Sequence, residues 1–271
     1  MQGVRNTFDP VLIPPRELII QNGIGVGDLE NVEMEFDSIG RGIAKGLMKN
    51  GLLPSHTVLD VGCGLGRVAR ALVQFLGGGS YIGIDACRSS IEWCTAHYFD
   101  HNNFRFFHAD VFSTMYNPSS AFTPDKYRFP IESESIDFIF STSLFTHLLL
   151  PAVDNYLKEM ARVLRPDGKI FNTFMLLDEV SLPLARTLQP DRPNVHMDVE
   201  VPGGLIALSD NPEALSAQYT EVVKQLHGLH GLIIDDIRNG PWSGRTDNLK
   251  SSGQDAVIAH KSGKDTSLDP F

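Results

Sequence analysis

The chain predicts an α/β protein: a doubly wound, mostly parallel sheet with an antiparallel hairpin at its C-terminal edge. Three observations carry that expectation. From about residue 56, short β-rich runs alternate with amphipathic stretches long enough for helices. The first run, T-V-L-D-V, leads into a glycine-rich turn, G-C-G-L-G-R (62–67). The last two runs are separated by a stretch dominated by G-P-W-S-G-R-T-D-N, which leaves no room for a crossover helix and makes a hairpin the natural connection.

Each element follows in chain order. Residues 1–55 show no strand signal and predict a helical extension of one or two helices packed over the sheet. T-V-L-D-V (57–61) is the first strand, and a helix follows over about 67–76. S-Y-I-G-I-D (80–85) is the second, followed by a helix over 89–99 with Ile91, Cys94, Thr95 and Tyr98 at helical spacing. F-R-F-F-H-A-D (104–110) and S-I-D-F-I-F-S (135–141) are the third and fourth. Pro151 opens a helix over 151–164, R-P-D-G makes a turn, and K-I-F-N-T-F-M-L-L (169–177) is the fifth strand. A helix over 214–229 leads to the final pair, L-I-I-D-D-I-R (232–238) and D-A-V-I-A-H-K (255–261). The main domain thus runs over 56–261 and ends in a flexible tail, 262–271. Residues 178–212, rich in proline and glycine, read as an irregular insertion above the carboxyl ends of the strands, the place of a lid.

Composition narrows the function. A chain of 271 residues with 42% apolar and 21% charged side chains is an ordinary globular protein, and its net charge of −10 argues against a broad nucleic-acid surface. The three cysteines, Cys63, Cys87 and Cys94, have no C-x-x-C spacing, which fits a reduced compartment better than disulfides or a zinc site. The opening M-Q-G-V-R-N-T-F-D-P lacks an apolar signal core, and no run reaches membrane-spanning length. The expectation is a cytoplasmic protein whose partner is a small molecule, with neither nucleic acid nor membrane involved.

The glycine turn discriminates between ligands. A dinucleotide site needs G-x-G-x-x-G, but here Gly62, Gly64 and Gly66 alternate and Arg67 stands where the third fingerprint glycine belongs. A bulky residue there obstructs the close helix–strand approach at a pyrophosphate. No G-K-[ST] follows, so the P-loop is also absent. A nucleoside ligand without a pyrophosphate fits.

At this point D-V-G-C-G-L-G-R resembles motif I of the class I S-adenosylmethionine-dependent methyltransferases, and the likeness extends over about 36–177 and more weakly to the closing hairpin. The resemblance implies that family's seven-stranded, Rossmann-like fold, with S-adenosyl-L-methionine as cofactor, S-adenosyl-L-homocysteine as product and no metal. It implies that Gly62, Cys63, Gly64, Gly66 and Arg67 form the cofactor turn and that Asp60 lies near the cofactor's amino group. Asp85 would accept the ribose hydroxyls; its alternative is a cap on the next helix. Ala86 and Cys87 would lie beside the adenine, Asp110 would accept from the adenine amino group, and Val111 would pack against the ring. Ser141 would offer backbone contacts to the methionine part.

Methyl transfer to oxygen or nitrogen needs an aligned nucleophile and a proton acceptor. The loop after the fourth strand, S-T-S-L-F-T-H-L, supplies His147 as candidate base, with helix capping as its other reading, and Phe145 to shape the pocket. N-P-P-Y, D-P-P-Y and Pro-Cys signatures of nucleic-acid methyltransferases are missing there. His196 with Asp198 is a second possible base pair or a solvated loop pair, and Trp242 either borders the acceptor pocket or packs as a surface indole. His97, His101, His227, His230 and His260 show no partner pattern. Residues 116–130, F-T-H-L and the terminal G-P-W and Q-D-A-V stretches resemble a bacterial subset acting in carbohydrate or secondary-metabolite pathways. The leading reading is O-methylation, less readily N-methylation, of such a small molecule by a possible homodimer. The alternatives are a catalytically inactive cofactor-binding subunit and aminopropyl transfer, the latter disfavoured by a loop without acidic residues.

Overall fold

The computed structural model describes residues 12–22, 30–188, 195–251 and 253–263. The chain divides into two compact units, Met1–Ser120 and Ala121–Phe271. Seven of the strands belong to one sheet, mostly parallel and antiparallel at its C-terminal edge, which is the predicted class.

In the first unit the order is α1 (Arg16–Gln21), α2 (Val32–Lys49), β1 (Thr57–Val61), α3 (Arg67–Leu72), β2 (Ser80–Asp85), α4 (Arg88–His97) and β3 (Phe104–His108). The three strands are parallel, with Asp60 opposite Gly83, Val61 opposite Ile84 and Asp85 opposite His108, so their carboxyl ends come together. The predicted one or two N-terminal helices are α1 and α2. Phe36, Gly40, Ala44 and Leu47 recur on one face of α2 and are buried. A Cβ on Gly40 would lie 2.1 Å from the Arg67 carbonyl oxygen, so the helix rests directly on the start of α3. Asp37 of α2 pairs with buried Arg70 and, at 2.8 Å, with Arg41. Pairing is what makes a buried guanidinium tolerable.

The second unit contains β4 (Ile136–Ser141), α5 (Leu150–Val163), β5 (Leu164–Phe174), β6 (Leu176–Leu177), α6 (Ser181–Ala185), β7 (Val199–Val201), β8 (Gly204–Ile206), β9 (Ser216–Tyr219), α7 (Thr220–Leu229), β10 (Leu232–Arg238) and β11 (Asp255–Lys261). Strand β4 runs parallel to β5, while β11 is antiparallel to both β5 and β10. The predicted R-P-D-G turn lies inside β5 as a bulge. Pairing with β4 jumps from Ile136↔Leu164 to Phe138↔Lys169, and Asp167 takes φ +62° to make the fold-back.

The end of the predicted fifth strand and residues expected to be irregular or helical build a second sheet, of order β6-β9-β8-β7. The insertion at 178–212 contributes α6, β7 and β8, and P-G-G supplies a hairpin turn with Gly203 at φ +83°. The helix expected from residue 214 begins only at Thr220, because 216–219 pair with β8 and β6. A Cβ on Gly204 would sit 1.9 Å from the Ala217 carbonyl oxygen, so only glycine permits this approach of β8 to β9. The sheet covers a core of Met175, Leu177, Ala185, Met197, Leu205, Ala217 and Trp242. Each large apolar side chain buried there contributes about 1.5–3 kcal/mol. Of the predicted tail, residues 264–271 lie outside the described residues.

Candidate functional site

The glycine turn is built where β1 ends. Gly62 and Cys63 donate their N–H groups to the Ile84 carbonyl at 2.8 and 3.2 Å, and Gly66 donates to the Cys63 carbonyl at 3.0 Å. Gly62, Gly64 and Gly66 take φ of +83°, +50° and +73°, which other residues adopt only under strain. A Cβ placed on Gly64 would meet nothing within 4 Å, so the turn has an open face that a ligand can approach closely. Cys63 is a packing residue here: its side chain presses on β2 at Gly83, where a Cβ would lie 2.8 Å from the sulfur. That thiol and Cys94, both buried, are pushed well above the ordinary thiol range by burial and by the nearby carboxylates.

Asp85 ends β2 with both oxygens aimed. Oδ2 accepts from the Gly64 N–H and Oδ1 from the Cys87 N–H, each at 2.7 Å. A carboxylate has about four acceptor directions, so each oxygen keeps one for a ribose hydroxyl. The Ala109 N–H donates to the Asp85 carbonyl at 2.8 Å, and His108 Nε2 donates to the Ala86 carbonyl at 3.1 Å, which fastens the ends of β2 and β3. Beyond β3, Asp110 is exposed, and a 3.0 Å hydrogen bond from Asn117 holds its carboxyl below the usual range. Val111 beside it is buried.

Asp60 is the unusual group. It is 2% exposed and accepts a 2.6 Å hydrogen bond from the Tyr81 hydroxyl. Burial pushes its carboxyl up to about 7; the Tyr81 bond opposes this, the Asp85 charge adds to it, and Arg67 again opposes it. Burial raises Asp85 as well, against its two backbone donors. One buried and one half-buried carboxyl in the same half-site disfavour an anionic pyrophosphate and favour a cation. Because the folded state binds the Asp60 proton more tightly than the unfolded chain, the ligand-free protein is expected to lose stability as pH rises from about 4 to about 7. Thermal melting across that range checks the sign; a midpoint that climbs with pH would contradict it.

Two further residues had no sequence signal beyond ordinary polar chemistry. Asn22, 8% exposed, follows α1 and accepts from Cys87 Sγ at 3.0 Å and Ser90 Oγ at 2.8 Å, while its amide donates to the Leu18 carbonyl at 2.8 Å. It fixes the loop that presents Asp85 from 65 residues away in sequence. Tyr116, half-buried beyond β3, feels the charges of Asp85 and Cys87, which help burial raise its phenol. Asn22→Ala is expected to weaken nucleoside binding about tenfold, the worth of one lost buried hydrogen-bond anchor. Calorimetry with S-adenosylhomocysteine tests this, and unchanged affinity would show that the anchor is dispensable.

The second unit holds the remaining candidates. Ser141 is fully buried, with its hydroxyl donating to Asn172 Oδ1 at 2.8 Å. After it, the chain makes one 3₁₀ turn, Phe145–His147. Phe145 is fully buried and stacks on Phe174 at 4.4 Å between ring centroids. His147 is half-buried, with Nδ1 3.0 Å from the Glu213 carbonyl oxygen. His196 places Nε2 3.1 Å from the Arg186 carbonyl, and among the described residues no hydrogen bond joins it to exposed Asp198. Trp242 is 6% exposed within the core of the second sheet, and its indole donates to Asp255 Oδ2 at 2.6 Å. Asp255 also accepts from Leu176 N–H at 2.8 Å and Gly240 N–H at 2.7 Å, so the G-P-W and Q-D stretches are two halves of one clamp. At the carboxyl ends of β4 and β5, the Ser143 N–H donates to Thr173 Oγ1 at 2.8 Å, and Thr173 donates to Gln254 Oε1 at 2.7 Å. Ser143 is exposed and held at φ +60°. Contrary to expectation, His230 and His260 have carboxylate partners, Asp154 at 2.7 Å and Asp235 at 2.8 Å. Among the described residues no group of three or more His, Cys, Asp or Glu is arranged to hold a metal, and no helix is long and apolar enough to cross a membrane.

The seven-strand sheet, the alternating-glycine turn and the acid at the end of β2 are those of the class I S-adenosylmethionine-dependent methyltransferase fold. Residues 59–172 match the family described as a methyltransferase domain. An arsenite methyltransferase from Aquipseudomonas alcaligenes is 31% identical over 127 residues, 46% of this chain and 34% of its own; the match thus spans about a third of that relative's length. Among solved structures, a putative sarcosine dimethylglycine methyltransferase from Galdieria sulphuraria aligns with TM-score 0.53 at 18% identity, over 87% of this chain and 88% of that one. The [4+2]-cyclase SpnF aligns with TM-score 0.55 at 14% identity, over 82% of each chain. Likeness at these identities is likeness of fold, and the fold carries more than one reaction.

Proposed function

We propose that the protein transfers a methyl group from S-adenosylmethionine to an oxygen, less readily a nitrogen, of a small molecule such as a sugar or secondary metabolite. The observation that carries this is the pair of carboxyls, buried Asp60 and half-buried Asp85, around a turn whose face is open at Gly64. The cofactor is a cationic nucleoside, and these residues fit it: Asp85 for the ribose hydroxyls, Asp110 for the adenine amino group, Asp60 for the ammonium. When bound, it supplies the methyl on a sulfonium with its leaving group built in. The chain's own work is to orient the acceptor and take its proton, for which we assign His147. The Ser143–Thr173–Gln254 cluster offers polar contacts for an oxygen-bearing acceptor at strand ends where such sheets bind ligands.

Arsenite, the acceptor in one relative's name, binds through thiolates. Cys63 and Cys94 are buried and hold their protons, which leaves half-buried Cys87 as a single thiol and favours an oxygen acceptor here. The second reading, a cofactor-binding subunit without catalysis, shares the same half-site. A panel of hydroxylated glycosides and phenols, assayed for S-adenosylhomocysteine release, separates the two. Tighter binding of a nicotinamide dinucleotide than of S-adenosylhomocysteine would overturn both. A cytoplasmic homodimer belongs to the same proposal, and light scattering in solution tests its dimer part.

A further inference from the structure

The turn that carries His147 is held by the second sheet. Ser216 and Gln218 alternate on β9, so their side chains share one face, and they are 2% and 3% exposed. Ser216 Oγ lies 3.0 Å from the Leu148 carbonyl oxygen, and Gln218 Nε2 lies 3.0 Å from the Phe145 carbonyl oxygen and 3.0 Å from Ser216 Oγ. The protons balance in one arrangement. The serine hydroxyl donates to Leu148, and the amide donates one hydrogen to Phe145 and the other to the serine oxygen. The carbonyls on either side of His147 are therefore both satisfied from β9.

The rest of the turn is equally constrained. Phe145 stacks on Phe174, and the hydroxyl of fully buried Thr146 donates to the Ser143 carbonyl at 3.3 Å. His147 alone of the three is not fully buried. Its Nδ1 faces the carbonyl oxygen of Glu213, three residues before β9. A carbonyl only accepts, so a neutral ring must carry its proton on Nδ1 and keep the Nε2 lone pair.

We propose that β9 of the small sheet and the residues just before it are a positioning device for His147. Ser216 and Gln218 fix the turn, and the Glu213 carbonyl selects the tautomer that leaves Nε2 as the base. These are positioning residues: they act through His147. The proposal rests on the assignment of His147 as proton acceptor. It also gives residues 213–219 a role of their own beside the insertion at 178–212.

Nitrogen-15 labelling of the histidines with long-range proton–nitrogen correlation reads the tautomer directly. The spectrum of His147→Gln identifies the His147 signal among nine histidines. In the wild-type protein, at a pH where the ring is neutral, the Nδ1–H form is expected to exceed Nε2–H by about tenfold, the factor one hydrogen bond is worth. In Ser216→Ala and Gln218→Ala the excess is expected to shrink toward the Nε2–H preference of a free histidine. A wild-type ring in the Nε2–H form overturns the proposal whether or not the variants fold. So does an unchanged ratio in folded Ser216→Ala and Gln218→Ala. Calorimetry of the wild-type protein with S-adenosylhomocysteine runs alongside. Lack of binding there would sink the methyltransferase reading and leave the tautomer result standing.

Discussion

Asp85→Ala is expected to lower affinity for S-adenosylhomocysteine by two to three orders of magnitude. The change removes acceptors for two ribose hydroxyls, each charged hydrogen bond being worth about 1.5–3 kcal/mol. It also leaves the Gly64 and Cys87 N–H groups, now bonded to the carboxylate at 2.7 Å, without their partner. The turn and the start of α4 lose their common tie. Asp85→Asn is the instructive companion: its one carbonyl oxygen can replace only one of the two acceptors, so its loss should fall between wild type and alanine. Calorimetry measures both, and wild-type affinity in the alanine variant would remove Asp85 from the cofactor site.

His147→Gln is expected to lower turnover of a true acceptor by about two to four orders of magnitude, the usual contribution of a positioned base. Affinity for S-adenosylhomocysteine should stay unchanged, because Asp60, Asp85 and Asp110, the proposed nucleoside contacts, lie in the first unit and His147 in the second. Turnover in the variant should recover as pH approaches the range where the acceptor hydroxyl ionises unaided, whereas the wild-type enzyme needs only a neutral imidazole. Equal rates in the two proteins across pH would mean that the acceptor loses its proton without His147.

The two units differ in how much of them could be read in advance. Strands β1, β2, β10 and β11 begin and end where the apolar runs do, because buried parallel strands and a hairpin between glycine-rich turns leave strong local marks. Asp60, Asp85 and the glycines were legible for the same reason: spacing along a strand–turn–helix is a local property. Strand β9 was not. S-A-Q-Y continues without a break into T-E-V-V-K-Q-L, and helix propensity runs through both; only pairing with β6 and β8 makes the first four extended. The V-E-V-P-G-G-L-I hairpin was hidden in the same way by proline and glycine that read as loop. Trp242 and Asp255 are 13 residues apart, and no pattern in one stretch announces a bond to the other.

The clamp at Asp255 orders events in time. Strand β11 lies between β5 and β10, and its first residue ties the entry of β6 and the turn after β10 to one carboxylate. During synthesis β5 and β10 emerge before the strand that pairs with both, so the antiparallel edge of the sheet waits for β11. The three parallel strands of the first unit, made earlier and close together in sequence, need no such wait. A growing chain should therefore hold an assembled glycine turn while the Asp255 clamp is still unfinished.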